Sequence, residues 1–132
     1  MTSRIENVCI DCADTYALAG FWAEVLGYPR HPEDFPGDPE ALLVPPDGVG
    51  PVVFFQQVPE GKTVKNRLHF CLQPTDRSRD EEVDRLLALG ASMAYDRRRP
   101  DGTGWAVLAD PEGNEFCVLR SAAERAKTAP TG

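Results

Sequence analysis

Asp110-Pro111-Glu112-Gly113-Asn114, running on into Glu115-Phe116-Cys117-Val118-Leu119, is the stretch whose reading decides the fold. Pro at the second turn position fixes φ, Gly supplies a left-handed residue, and Asp and Asn offer side-chain oxygens to local backbone donors. Residues 110–114 therefore predict a tight turn. The run that follows has strand composition and predicts a strand over 115–119. Such a turn sets its strand against a second, similar half of the molecule. The residue presented by that strand is Cys117, and its chemistry matters below.

Working back from the turn, Trp105–Ala109 predicts a strand, Pro100–Gly104 a turn and Ala91–Arg97 another strand. Ser78 with Glu81 is a capping box, and Val83, Leu86 and Leu87 give the helix behind it an apolar face that ends at Gly90. Arg67–Gln73 predicts a strand, with Leu68 and Phe70 turned under that helix and His69 turned the other way. In the first half, Ile5–Cys12 predicts a strand whose faces alternate: Val8, Ile10 and Cys12 on one side, Asn7, Cys9 and Asp11 on the other. Asp14 caps a helix over Thr15–Leu26, with Leu18, Phe21, Trp22 and Val25 at helical spacing and Gly27 as its stop. Tyr28–His31, Ala41–Val44 and Val52–Val58 follow as strands. Pro32–Pro39, Pro45–Pro51 and Pro59–Lys65 are connectors.

The order β-α-β-β-β thus occurs twice, and the letters repeat with it. Asn7-Val8-Cys9-Ile10-Asp11 is similar to His69-Phe70-Cys71-Leu72-Gln73, and Asp14 matches Asp76 at the same offset. At one residue more, Leu26-Gly27 matches Leu89-Gly90 and Gly50 matches Gly113. A duplicated supersecondary unit predicts two paired halves. The expected fold class is α+β, two βαβββ modules at about 5–58 and 66–120 pairing to enclose a cleft within a single domain, 1–121. Residues 122–132 are expected to form a poorly ordered polar tail.

Composition narrows the function classes. The chain has 132 residues and a formal net charge of −7, which argues against a nucleic-acid or anionic-membrane surface. The dense basic run Arg97-Arg98-Arg99 is expected to be an exposed strand end. There is no apolar run long enough to span a bilayer and no apolar signal region at the start, so a cytoplasmic location and free thiols are the expectation.

Two motifs now carry a resemblance. Asp14…Phe21-Trp22…Val25-Leu26-Gly27-Tyr28 resembles the helix signature of the vicinal oxygen chelate superfamily, usually Asp…Phe-Tyr…Leu-Gly. Asp110 to Phe116 resembles its closing turn and strand. The resemblance spans roughly residues 5–120 and is closest to small bacterial glyoxalase-like domain proteins. The superfamily includes glyoxalase I, extradiol dioxygenases, fosfomycin-modifying enzymes, epimerases and bleomycin-sequestering proteins. It implies the paired-module fold, a cleft, and frequent homodimers. In metal-dependent members it also implies a divalent ion held from four strand positions. Carried over by spacing, those positions are Asn7, Phe54, His69 and Cys117, of which His69 alone keeps a standard ligand type.

That donor set favours no metal over the alternative of a divalent Zn, Ni, Mn or Fe ion completed by neighbours such as Gln56, Glu115 or Asp11. Cys9 and Cys12 form a CxxC in letters only, because residues three apart on a strand face opposite sides. Cys9, Cys71 and Cys117 can share the cleft surface, and His69 with Cys71 or Cys117 can activate a thiolate, although small buried cysteines are commoner. His69 either bonds a ligand or is satisfied by a neighbour such as Asn7, its repeat mate. Phe54 turns a ligand position into an apolar wall, and Trp105 adds a second aromatic on a strand. The expected ligand-binding cleft is lined by Asn7, Cys9, Asp11, Phe54, Gln56, His69, Cys71, Trp105 and Cys117. The partner is expected to be a small organic molecule, bound by a metal-independent glyoxalase-like protein. A metal-dependent lyase, isomerase or dioxygenase with an atypical ligand set is the alternative, and a purely structural dimer comes third.

Overall fold

The computed structural model describes residues 1–128, and the chain divides into two compact units, Met1–Thr63 and the part from Val64 onward. The division falls inside the polar connector. Mixed α+β structure with one helix against a sheet recurs in each unit.

In the first unit, β1 (Asn7–Cys12) leads into α1 (Thr15–Leu26), and β2 (Glu40–Leu43) and β3 (Val52–Gln57) follow. The helix bounds are those the sequence predicts because both ends are chemically marked. The Asp14 carboxylate accepts the Ala17 backbone N–H at 3.0 Å, and Gly27 takes φ 71° while its own N–H closes on Ala23 O at 2.9 Å. Leu18, Ala19, Phe21 and Trp22 are buried, and the Phe21 and Trp22 rings meet edge to face with centroids 5.4 Å apart. They pack on β2 and β3, whose buried residues are Ala41, Leu43, Val53 and Phe55. The sheet order is β1-β3-β2, with β1 parallel to β3 and β2 antiparallel to it.

The strand expected over Tyr28–His31 is reduced to a single bridge, Arg30 to Leu43. Pro29 and Pro32 flank it and donate no N–H, so no ladder can grow. Arg30 is held instead by its side chain, stacked 3.8 Å over the Tyr16 ring and bonded to Tyr16 O at 2.9 Å.

In the second unit, β4 (Cys71–Leu72), α2 (Arg79–Leu89), β5 (Ser92–Asp96), β6 (Ala106–Ala109) and β7 (Glu115–Val118) form a sheet of order β4-β7-β6-β5. Both halves of the Ser78–Glu81 capping box are made, at 2.9 and 3.1 Å. Val83 and Leu86 of α2, and Leu108, Phe116 and Val118 of the sheet, are buried. Buried Arg79 at the start of α2 donates to the carbonyls of Gly102, Thr103 and Gly104, fixing the β5–β6 turn. Arg98 of the basic run pairs with Asp96 and Asp80, while Arg97 and Arg99 beside it are exposed.

Two expectations fail here. Leu68 is 89% exposed instead of lying under the helix, and Phe70 is only half-buried. The strand expected over Arg67–Gln73 shrinks to Cys71–Leu72 because side-chain bonds from Asn66 replace the ladder before it. Second, residues 122–128 are not a loose tail: α3 (Ala122–Thr128) is a helix, while residues 129–132 of the expected tail lie outside those described. Ser121 and Glu124 form another capping box, at 2.9 and 3.1 Å, and Glu124 Oε1 also accepts the Arg79 backbone N–H at 2.6 Å. No helix among the described residues is long and apolar enough to cross a membrane.

Candidate functional site

The helix-free face of the first sheet gathers five of the residues singled out from the sequence. Along β1, exposed Asn7, Cys9 and Asp11 alternate with half-buried Val8 and Ile10 and buried Cys12. Parallel register sets Cys9 opposite Phe54 and Asp11 opposite Gln56, so all five turn away from the buried Val53 and Phe55. The Cys9 thiol reaches Gln56 Oε1 at 3.8 Å. Burial, with the charges of Asp11 and Glu40, pushes that thiol above its ordinary pKa, which opposes a resting thiolate. Cys12 faces the other side and contacts Gln56 O at 3.7 Å, so Cys9 and Cys12 are not a dithiol.

The second sheet repeats the arrangement. Cys71 stands opposite Cys117, and Val107 opposite Cys117, as Cys9 and Leu42 stand opposite Phe54. The register therefore equates Phe54 with Cys117, as the offset from Gly50 and Gly113 implies. Alternation with buried Ala106 and Leu108 puts Trp105, 41% exposed, on the same face as Val107. His69, Cys71 and Cys117 are drawn together: their ligand atoms all lie within 4.8 Å of one another. His69 and Cys71 are exposed, whereas Cys117 is 7% exposed. Burial raises the Cys117 thiol, and the neighbouring Cys71 raises it further, so Cys117 too is poorly suited to a resting thiolate nucleophile.

Asn66 positions this group and was missed from the sequence. Its side-chain oxygen accepts the Glu115 N–H at 2.7 Å and its amide donates to Glu115 O at 3.3 Å, copying a backbone pair. The same amide bonds Leu68 O. Cys117 N–H then donates to Phe70 O at 2.8 Å, and Leu119 N–H to Leu72 O at 2.8 Å. The segment carrying His69 is thus fastened to β7 on both sides of the imidazole. A lone Asn before a strand carries no local signal of this role.

A hard divalent ion in an open site needs about three good oxygen or nitrogen donors. Of the positions carried over by the resemblance, Asn7 and Phe54 in the first unit offer an amide and a hydrocarbon ring, and His69 and Cys117 in the second an imidazole and a thiol. Neither pair fits a hard ion such as Mn(II).

The architecture is that of the glyoxalase/bleomycin resistance/dioxygenase class. A glyoxalase/bleomycin resistance protein/dioxygenase family enzyme from Burkholderia phytofirmans PsJN is similar at 21% identity and TM-score 0.64, over 88% of this chain and 97% of that one. A mutant fosfomycin resistance protein, FosX, from Listeria monocytogenes, complexed with Mn(II) and 1S,2S-dihydroxypropylphosphonic acid, is similar at 18% identity and TM-score 0.67, over 96% and 99%. Protein ATC0852 from Agrobacterium tumefaciens gives 17% identity and TM-score 0.69, over 92% and 99%. At these identities the likeness speaks for the fold alone. The glyoxalase-like domain model matches residues 7–119, and the chain belongs to that family. No curated protein matches it.

Proposed function

We propose that this chain binds a small organic molecule on the helix-free strand faces and works without the hard divalent ion of metal-dependent relatives. The observation that carries the reading is Phe54. It occupies the β3 position that register equates with Cys117, and there it offers an aromatic ring where a metal site needs a donor. Half-buried Phe54 beside Leu42 suits a flat apolar ligand, with Asp11, Gln56 and Asn7 on the same face as polar anchors. A cytoplasmic location accords with four free thiols.

In a thermal-shift screen, flat aromatic compounds should raise the melting temperature while Mn(II) leaves it unchanged. Phe54→Ala should abolish the ligand-induced rise. A rise with Mn(II) that disappears in His69→Ala would instead support the second reading, a metal-dependent lyase, isomerase or dioxygenase with an atypical ligand set. His69 is what keeps that reading in view. We also propose a homodimer, since exposed Ile5, Val49, Val64 and Leu68 leave apolar surface for a partner copy. A sedimenting species near 14.5 kDa alone would contradict it.

A further inference from the structure

His69, Cys71 and Cys117 all belong to the second unit, and their convergence owes nothing to the first. Cys71 is not among the family's four metal positions. It enters because β4 pairs in parallel with β7 and sets the two sulfurs on one face of neighbouring strands. Two thiols and an imidazole are poor partners for Mn(II) but the preferred donors of soft and borderline d10 cations. Geometry agrees. A tetrahedral centre with bonds of about 2.0–2.3 Å separates its donors by roughly 3.3–3.8 Å. The observed 4.8 Å limit is therefore closed by small rotations of His69 and Cys71, which are exposed.

We propose that His69, Cys71 and Cys117 form a site for a thiophilic d10 cation, with zinc(II) as the physiological member and cadmium(II) as its spectroscopic probe. On binding, each thiol gives its proton to solvent as its sulfur–metal bond forms, and the two thiolates neutralise the divalent charge. His69 supplies a neutral imidazole nitrogen. The exposed side is left for a fourth ligand from solvent. The site also answers a structural need: β4 has two residues where its counterpart β1 has six, and the ion would fasten the short strand to β7. This inference stands on the second unit and is independent of the organic-ligand reading.

The test is a titration of the full chain, reduced and metal-free, with Cd(II), followed by the ultraviolet thiolate-to-metal charge-transfer band. Zn(II) and Mn(II) are then added as competitors. One equivalent should saturate the band, Zn(II) should displace it and Mn(II) should not. Cys71→Ser changes an exposed residue, so the fold is spared. It should weaken binding by more than the roughly 10–100-fold that loss of an outer-sphere partner costs. Cys117→Ser and His69→Ala should each weaken it, with near-ultraviolet circular dichroism confirming that these variants remain folded. Hydrogen exchange at residues 70–72 should slow on Zn(II) addition. A band of unchanged strength and affinity in Cys71→Ser, or Mn(II) competing as well as Zn(II), would overturn the proposal.

Discussion

Asp110 shows how one side chain holds the turn on which the fold depends. Its Oδ1 accepts the backbone N–H groups of Glu112 and Asn114 at 2.9 and 3.0 Å, and both oxygens take the Asn114 amide. The residue is 3% exposed and its bonds are part-buried, so water replaces them only in part when the carboxylate is removed. Gly113 completes the turn at φ 88°, a value that asks for glycine. Asp110→Ala should destabilise the protein by about 3 kcal/mol in denaturant unfolding, the scale expected when charge-assisted buried bonds are removed. A loss below about 1 kcal/mol would show that the turn is held by its backbone alone. The same turn delivers Cys117 beside Cys71, so its loss should also blunt the cadmium band.

The β5–β6 hairpin is held by charge at its base. Asp96 is held down to about 2 from an ordinary 3.8, first by bonds from the Arg98 side chain, then by the Arg98 backbone N–H. Because the folded value lies below the unfolded one, the stabilisation is complete above about pH 4. It fades as pH falls through about 2. The stability gap between wild type and Asp96→Asn should therefore be largest above pH 4 and narrow between about pH 4 and pH 2. A gap that stays constant over that range would mean Asp96 acts by shape alone.

Elements with local markers were the legible ones. Asp14 and Gly27 bound α1, and Ser78 with Glu81 starts α2, because each cap satisfies donors or carbonyls within a few residues. Ser121 and Glu124 carry the same S-x-x-E signal, so the start of α3 is equally legible and the expectation of a loose tail passed over it. The length of β4 was not legible. It depends on Asn66 reaching Glu115 across 49 residues of chain, a contact with no local trace. Nor does the fate of Leu68 follow from alternation, since alternation fixes faces only where a ladder continues.

Across the whole molecule, the repeat was the strongest sequence signal and carried furthest. The letters that match between the halves occupy matching positions in the two sheets, with Cys9 opposite Phe54 and Cys71 opposite Cys117. The nine residues expected to line one cleft divide between the units, five on the first sheet face and four in the second unit. What the repeat could not convey was that two sulfurs and an imidazole would converge in one half while the other half presents a ring. That difference follows from side-chain identity at equivalent backbone positions. It makes the halves chemically unlike on a common architecture, and it is the ground on which the proposed function sets a hard divalent ion aside.

The most direct measurement is elemental analysis of the full chain purified without chelators, for wild type and His69→Ala side by side. No stoichiometric Mn, Ni or Fe is expected in either protein, and any zinc found in the wild type should fall in His69→Ala. One equivalent of Mn, Ni or Fe in the wild type, lost in His69→Ala, would contradict that expectation.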